Sequence, residues 1–306
     1  MWVVFFLIMM VLLAIDFVVL SRQGAHRVSI KEAAIWSSIW VGCALLFNLG
    51  LWWYFVQTAG HTVAYEKAMA FFAGYLIEKA LSIDNLFVFL LIFNAFQVPA
   101  EYQRRILSYG VIGAIVFRIL IILCGAWLVT KFHWVLYVFG IFLILTSFKM
   151  LVDAIKLGEK GSVSQAPPIL KWLQKNLRVT EQLHGQKFIV RQNGLYYATP
   201  LLVILLVIEF SDIVFAVDSI PAIFAITTDP FIVVTSNIFA ILGLRSLYFL
   251  LANMASRFYL LKYGLAFILL FVGTKMLIAP WIVIPISVSL GLIATILLIC
   301  ILWRKK

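Results

Sequence analysis

Nine runs of mostly apolar residues divide the chain, at about 1–20, 33–56, 68–97, 106–130, 133–151, 199–226, 231–250, 262–279 and 281–303. Each is close to the roughly 20 residues a helix needs to cross the bilayer hydrocarbon. The pattern predicts an all-α polytopic membrane protein of about nine transmembrane helices. The first run has no basic segment before it and no small-residue cleavage site. Its basic flank (Arg22, Arg27 and Lys31) follows it, so it reads as a retained span rather than a signal peptide.

The polar segments between the runs differ sharply in charge. Segments 21–32, 98–105, 152–198, 251–261 and 304–306, with Lys262 at a helix edge, hold 17 basic residues. The opposite set, 57–67, 131–132, 227–230 and 280, holds only Lys67 and Lys131. By the positive-inside rule the N-terminus faces outside and the C-terminus lies in the cytoplasm. The longest segment, 152–198, carries seven basic residues against three acids. Within it Ile169, Leu170, Trp172, Leu173 and Leu177 alternate with Lys171, Lys175 and Arg178 after Pro167-Pro168. That spacing fits a short helix on the anionic cytoplasmic leaflet; a solvated connector is the plainer alternative.

Composition narrows the class further. Of 306 residues 64% are hydrophobic and 12% charged, with a mean hydropathy of +1.08, whereas soluble domains average about half apolar and a quarter charged. A soluble enzyme, a disordered protein and a nucleic-acid binder are excluded. The net charge of +11 sits mostly in loops and is a topology signal. Cys43, Cys124 and Cys300 are far apart, each inside an apolar run, and form neither a disulfide framework nor a CxxC pair. No enzymatic activity is expected.

An internal repeat runs through the middle of the chain. Aligning Glu78 with Asp212 also brings Asp84 onto Asp218, and Ser82-Ile83-Asp84-Asn85-Leu86 onto Ala216-Val217-Asp218-Ser219-Ile220. Gly113 to Arg118 then resembles Ala240 to Arg245, and Lys149-Met150-Leu151 matches Lys275-Met276-Leu277. Two three-helix units follow, with an odd number of spans, so the second enters the membrane inverted. The expected organisation is two N-terminal helices (1–67), repeat 1 (68–151, helices 3–5), a basic cytoplasmic loop (152–198), repeat 2 (199–279, helices 6–8) and helix 9 with a basic tail (280–306).

The charges inside the apolar runs carry the chemistry. Each costs about 2.5–3.5 kcal/mol at a helix centre on insertion scales, so each should pair, ligate or line water. Glu78, Asp84, Glu209, Asp212 and Asp218 lie inside helices 3 and 6, with Asn85 and Asn237 as neutral oxygen donors. All four histidines lie at or beyond helix ends. Hard oxygen donors suit Mn²⁺, Mg²⁺ or Ca²⁺ rather than Zn²⁺ or copper. Salt bridges to Lys79, Arg118 and Arg245, and a metal-free proton relay, are the competing uses. Lys149 and Lys275, near helix ends, can snorkel. Glu209 and Asp212 share a helix face, whereas residues six apart do not. A local unwinding near Pro221 would let both pairs serve one site.

At these residues the chain resembles the TerC family of integral membrane proteins, most closely its Alx-like branch. The likeness lies in Glu78-Lys79-Ala80-Leu81-Ser82-Ile83-Asp84-Asn85, in Glu209 to Pro221 and in Thr235 to Arg245, and it extends across nearly the whole chain, including Ala14-Ile15-Asp16. The resemblance implies a bacterial inner-membrane protein related to the lysine-exporter superfamily. It implies links to tellurium resistance and, for the Alx-like branch, to manganese export or redox modulation. Carried over by position, it implies a metal site of Glu78, Asp84, Asn85, Glu209, Asp212, Asp218 and Asn237. The expected function is divalent-metal export, with Mn²⁺ as the transported ion and protons as a candidate counter-ion. Partners would be the cation and membrane lipids, and not nucleic acid. A tellurite or oxyanion protein using the cationic side chains, and a scaffold docking through 152–198, are the alternatives.

Overall fold

A computed structural model describes residues 1–23, 28–96, 98–132, 134–159, 179–180, 184–192, 195–252, 261–282 and 284–302. Ten helices cover the nine apolar runs: α1 (Trp2–Gln23), α2 (Ile30–Ala59), α3 (His61–Ala95), α4 (Ala100–Lys131), α5 (Val135–Glu159), α6 (Pro200–Phe224), α7 (Pro230–Leu242), α8 (Leu244–Ala252), α9 (Leu261–Ile278) and α10 (Ile286–Leu302). The seventh run is thus split between α7 and α8. A two-stranded antiparallel hairpin precedes α6, with β1 (Ile189–Gln192) against β2 (Leu195–Ala198) and Ile189 opposite Ala198. The segment 169–178 lies outside the described residues.

Local chemistry sets the helix ends. Ser29 caps α2, its hydroxyl accepting from the Glu32 N–H at 3.2 Å, a capping-box spacing. Gly60 closes the same helix at φ +87°, a left-handed conformation that glycine adopts without steric cost. Pro200 and Pro230 occupy first-turn positions, where a missing N–H costs nothing. The Asp229 carboxylate caps α7, accepting from the Phe231 N–H at 2.9 Å, and also pairs with Lys67 of α3.

Among the described residues four helices are long and apolar enough to cross a bilayer: α2, α4, residues Val135–Val152 of α5, and α6; the bent pair α7–α8 makes a fifth. Trp2–Val18, Tyr263–Ile278 and Ile286–Cys300 are shorter apolar helices. Large hydrophobic side chains face outward on α1, α2, α5 and α10, among them Val3, Leu46, Leu145 and Leu298. Contiguous apolar exposure on this scale is foreign to soluble monomers and is what lipid-facing helices require.

The centre of the molecule is α3, which packs against α2, α6, α7, α8 and α10. Every residue from Phe231 to Leu242 of α7 is buried, in keeping with a helix that is apolar all round. Gly74 lets α7 come close to α3: a Cβ there would sit 2.8 Å from Ser236 Oγ. Helices α5 and α9 touch backbone to backbone, a Cβ on Gly273 falling 2.8 Å from the Gly140 carbonyl oxygen. Small residues permit this approach where no hydrophobic force drives helices together in lipid. Ser147 adds a hydrogen bond to the Ala266 carbonyl at 2.8 Å.

The break in the helical path differs from the one expected near Pro221. Helix α6 continues through Pro221 to Phe224, and the chain bends by 43° between α7 and α8, at Gly243. Gly243 adopts φ −88°, ψ 1°, so the carbonyls just before it lose helical donors. One of them, Ala240 O, accepts from Lys79 Nζ at 3.0 Å. The broken backbone is buried in protein, one of the two settings at membrane depth where such a break is tolerated.

Candidate functional site

Four helices deliver polar side chains to one buried cluster. Arg118 of α4 and Glu78 of α3 are fully buried, and Asp212 of α6 is 4% exposed. The guanidinium grips Asp212 with two roughly parallel bonds, Nε to Oδ2 at 3.2 Å and Nη2 to Oδ1 at 3.1 Å. This fork geometry is specific to arginine. The remaining terminal nitrogen pairs with Glu78 Oε1 and donates to Ser219 Oγ at 3.3 Å and Asn237 Oδ1 at 3.5 Å. Asn237 of α7 in turn donates to Glu78 Oε2 at 3.0 Å, and Ser82 lies 3.4 Å from Glu78 Oε1. One positive charge therefore faces two carboxylates.

Glu209 stands beside this cluster, one turn before Asp212 on α6. Its Oε2 is buried and has no hydrogen-bond partner among the described residues. The carboxylate lies against Gly113 of α4 and borders a cavity of about 20 Å³ that Gly110, Ala114, Ile208, Asp212 and Arg245 also line. A site needs about 10–15 Å³ of such volume to take one water molecule, so the space suits a single small particle. Its charged wall consists of two carboxylates and one guanidinium.

Arg245, the residue matching Arg118 in the sequence repeat, belongs to a second cluster. It pairs with Asp16 of α1 at 2.5 Å and donates to Ser108 Oγ of α4 at 2.8 Å. Lys79, one residue from Glu78, turns instead to the Ala240 carbonyl. Lys275 donates to Ser289 of α10 at 2.9 Å, and Lys149 is exposed.

The expected metal set is thus partly assembled. Glu78, Asp212 and Asn237 meet around Arg118, and Glu209 adjoins them. Asn85 is buried on α3 with its Nδ2 unpartnered among the described residues. Asp84 and Asp218 ride on α3 and α6, but their side chains lie outside the described residues. Among the described residues no three acidic, histidine or cysteine side chains converge as metal ligands would. Sequence reasoning did not single out Ser82, Ser219 or Gly113. The serines hydrogen-bond the cluster from one turn after Glu78 and two turns after Asp212, a helical spacing that could have marked them. Nor did it find the hairpin, although Asn193-Gly194 between β-prone residues is a recognised turn signal.

Comparison with known proteins matches residues 63–306 to the description "Integral membrane protein TerC family". A protein of Escherichia coli strain K12 named "Putative membrane-bound redox modulator Alx" is 54% identical over 299 residues, spanning 97% of this chain and 91% of its own. Its namesake in Photorhabdus laumondii is 50% identical, spanning 100% and 95%. A membrane protein of Myxococcus xanthus, STKORF319, is 45% identical, spanning 97% and 89%. No solved structure matches. The chain belongs to the TerC family of integral membrane proteins.

Proposed function

We propose that this TerC family member exports a divalent cation, Mn²⁺, across the bacterial inner membrane through the carboxylate cluster of α3 and α6. The observation that carries the reading is Glu209, a carboxylate that has a buried oxygen, unpartnered among the described residues, and borders a cavity sized for one small particle. In the state described, Arg118 fills the cation's place between Glu78 and Asp212. An arriving cation would compete with the guanidinium for the same oxygens, entering from Glu209. Protons could replace it there on the return half of the cycle. Mn²⁺ is preferred over other hard cations on family resemblance alone, since oxygen ligands do not separate them.

Alternating access fits the packing. The three helix pairs matched in the sequence repeat each meet in the fold: α3 with α6, α4 with α7, and α5 with α9. Two inverted units around a midplane site would produce those contacts. We take the topology as nine passes, N-terminus outside and C-terminus cytoplasmic, with α3 as a span in spite of its charges because its fully buried Glu78 is paired with Arg118.

The test is the manganese content of cells whose only copy of the gene carries Glu209→Gln or Asp212→Asn. Both variants should accumulate manganese under Mn²⁺ load as cells without the gene do, with tellurite tolerance unchanged. Manganese held at the wild-type level in both would overturn the reading. A redox role has one observation in its favour, the name borne by the enterobacterial relatives. Against it, Cys43, Cys124 and Cys300 are all free, on α2, α4 and α10. Oxyanion binding by Arg118 would have to displace two carboxylates already in place.

A further inference from the structure

Helix α4 carries a glycine where it faces Glu209. A Cβ built on Gly113 would overlap all three terminal atoms of the Glu209 side chain, Cδ, Oε1 and Oε2. Three residues earlier on the same face, a Cβ on Gly110 would make only ordinary contact, 3.6 Å from Ile208 Cγ2 and 3.9 Å from Glu209 Oε1. The two glycines are therefore unequal: one is occupied by the carboxylate and the other merely borders it. The three atoms nearest to a Cβ on Gly113 all belong to the flexible end of Glu209.

We infer that Gly113 is a positioning residue: its missing side chain forms a notch in α4 that holds the Glu209 carboxylate to one side and keeps the adjoining ion-sized cavity open. No hydrogen bond among the described residues fixes the buried Oε2 of Glu209 there. A methyl group at Gly113 would turn the carboxylate out of the notch, and the neighbouring free space is the cavity it shares with Asp212 and Arg245. The helices need not move apart, because only the end of one side chain must yield, and alanine is the better helix former. The consequence for transport rests on the exporter reading above; the notch itself does not.

The experiment compares Gly113→Ala, Gly42→Ala, Glu209→Asp and the double variant G113A/E209D in the full-length protein in native membranes. One readout is labelling of Glu209 by a hydrophobic carbodiimide, followed by mass spectrometry; the other is Mn²⁺ efflux. Gly113→Ala should raise labelling at least threefold and lower efflux at least fivefold, while Gly42→Ala on α2, where a Cβ would meet nothing within 4 Å, leaves both near wild type. Glu209→Asp shortens the side chain by one methylene, so the double variant should regain the efflux of Glu209→Asp alone. That rescue is not expected of a glycine needed only for helix packing. Labelling and efflux both unchanged in Gly113→Ala, or a double variant no better than Gly113→Ala, would overturn the inference. If the wild-type protein shows no Mn²⁺ efflux, the exporter reading falls and the labelling comparison alone decides the notch.

Discussion

Arg118 and Arg245 end two similar stretches of sequence, yet the fold uses them differently. Arg118 is fully enclosed and ties together three helices of its surroundings, with two acids, a serine and an asparagine around one guanidinium. Arg245 is 7% exposed and holds one acid, Asp16, from a helix outside the matched units, together with Ser108. Helix α4, 32 residues long, runs unbroken through Arg118, whereas the span of Arg245 is broken two residues before it, at Gly243. The difference teaches that similar sequence does not impose similar electrostatics. The first arginine compensates the buried acids of α3 and α6, and the second secures α1 and α4 to the short helix α8.

The comparison can be broken by removing each cation in turn. Arg118→Leu leaves Glu78 and Asp212 buried without compensation, a loss of about 3–5 kcal/mol. Folded yield in detergent and the thermal unfolding midpoint should both fall sharply, and export should cease. A wild-type midpoint in this variant would mean that the acids find another counter-charge. Arg245→Met removes charged hydrogen bonds to one acid near a helix end, and should cost less, about 1.5–3 kcal/mol. Measured on the same unfolding scale, a cost equal to that of Arg118→Leu would erase the distinction. The smallest effect is expected for replacing all three cysteines by serine, which should leave Mn²⁺ efflux and tellurite tolerance within about twofold of wild type, since no thiol pair exists among them. Loss of function there would favour the redox reading.

Much of this was legible along the chain because apolar runs and loop charges are long-range signals that need no partner. Each of the nine runs carries a helix, and Glu78 of α3 and Asp212 of α6 meet across Arg118. Which acid meets which arginine was not legible. Asp16 sits near the end of α1 and gives no sign in its neighbours that it will meet Arg245, 229 residues away. The site of backbone breakage was also misplaced. Proline at position 221 is the stronger local breaker, but helix α6 absorbs it, since a proline removes one hydrogen bond without forcing a turn. Gly243 breaks the next span because tertiary contacts meet there: the Lys79 amine and the Trp40 side chain occupy the space a side chain would need. The role of Gly113 was hidden for the same reason, since a notch is defined by what fills it.

Helix α7 has a consequence for how the chain is made. Its 13 residues span about 20 Å at 1.5 Å per residue, short of the roughly 30 Å of hydrocarbon, and all its sides from Phe231 onward are covered by other helices. Such a segment gains little by meeting lipid on leaving the ribosome. It gains most by entering a groove already shaped by α3, so biogenesis of the second half should wait on assembly of the first.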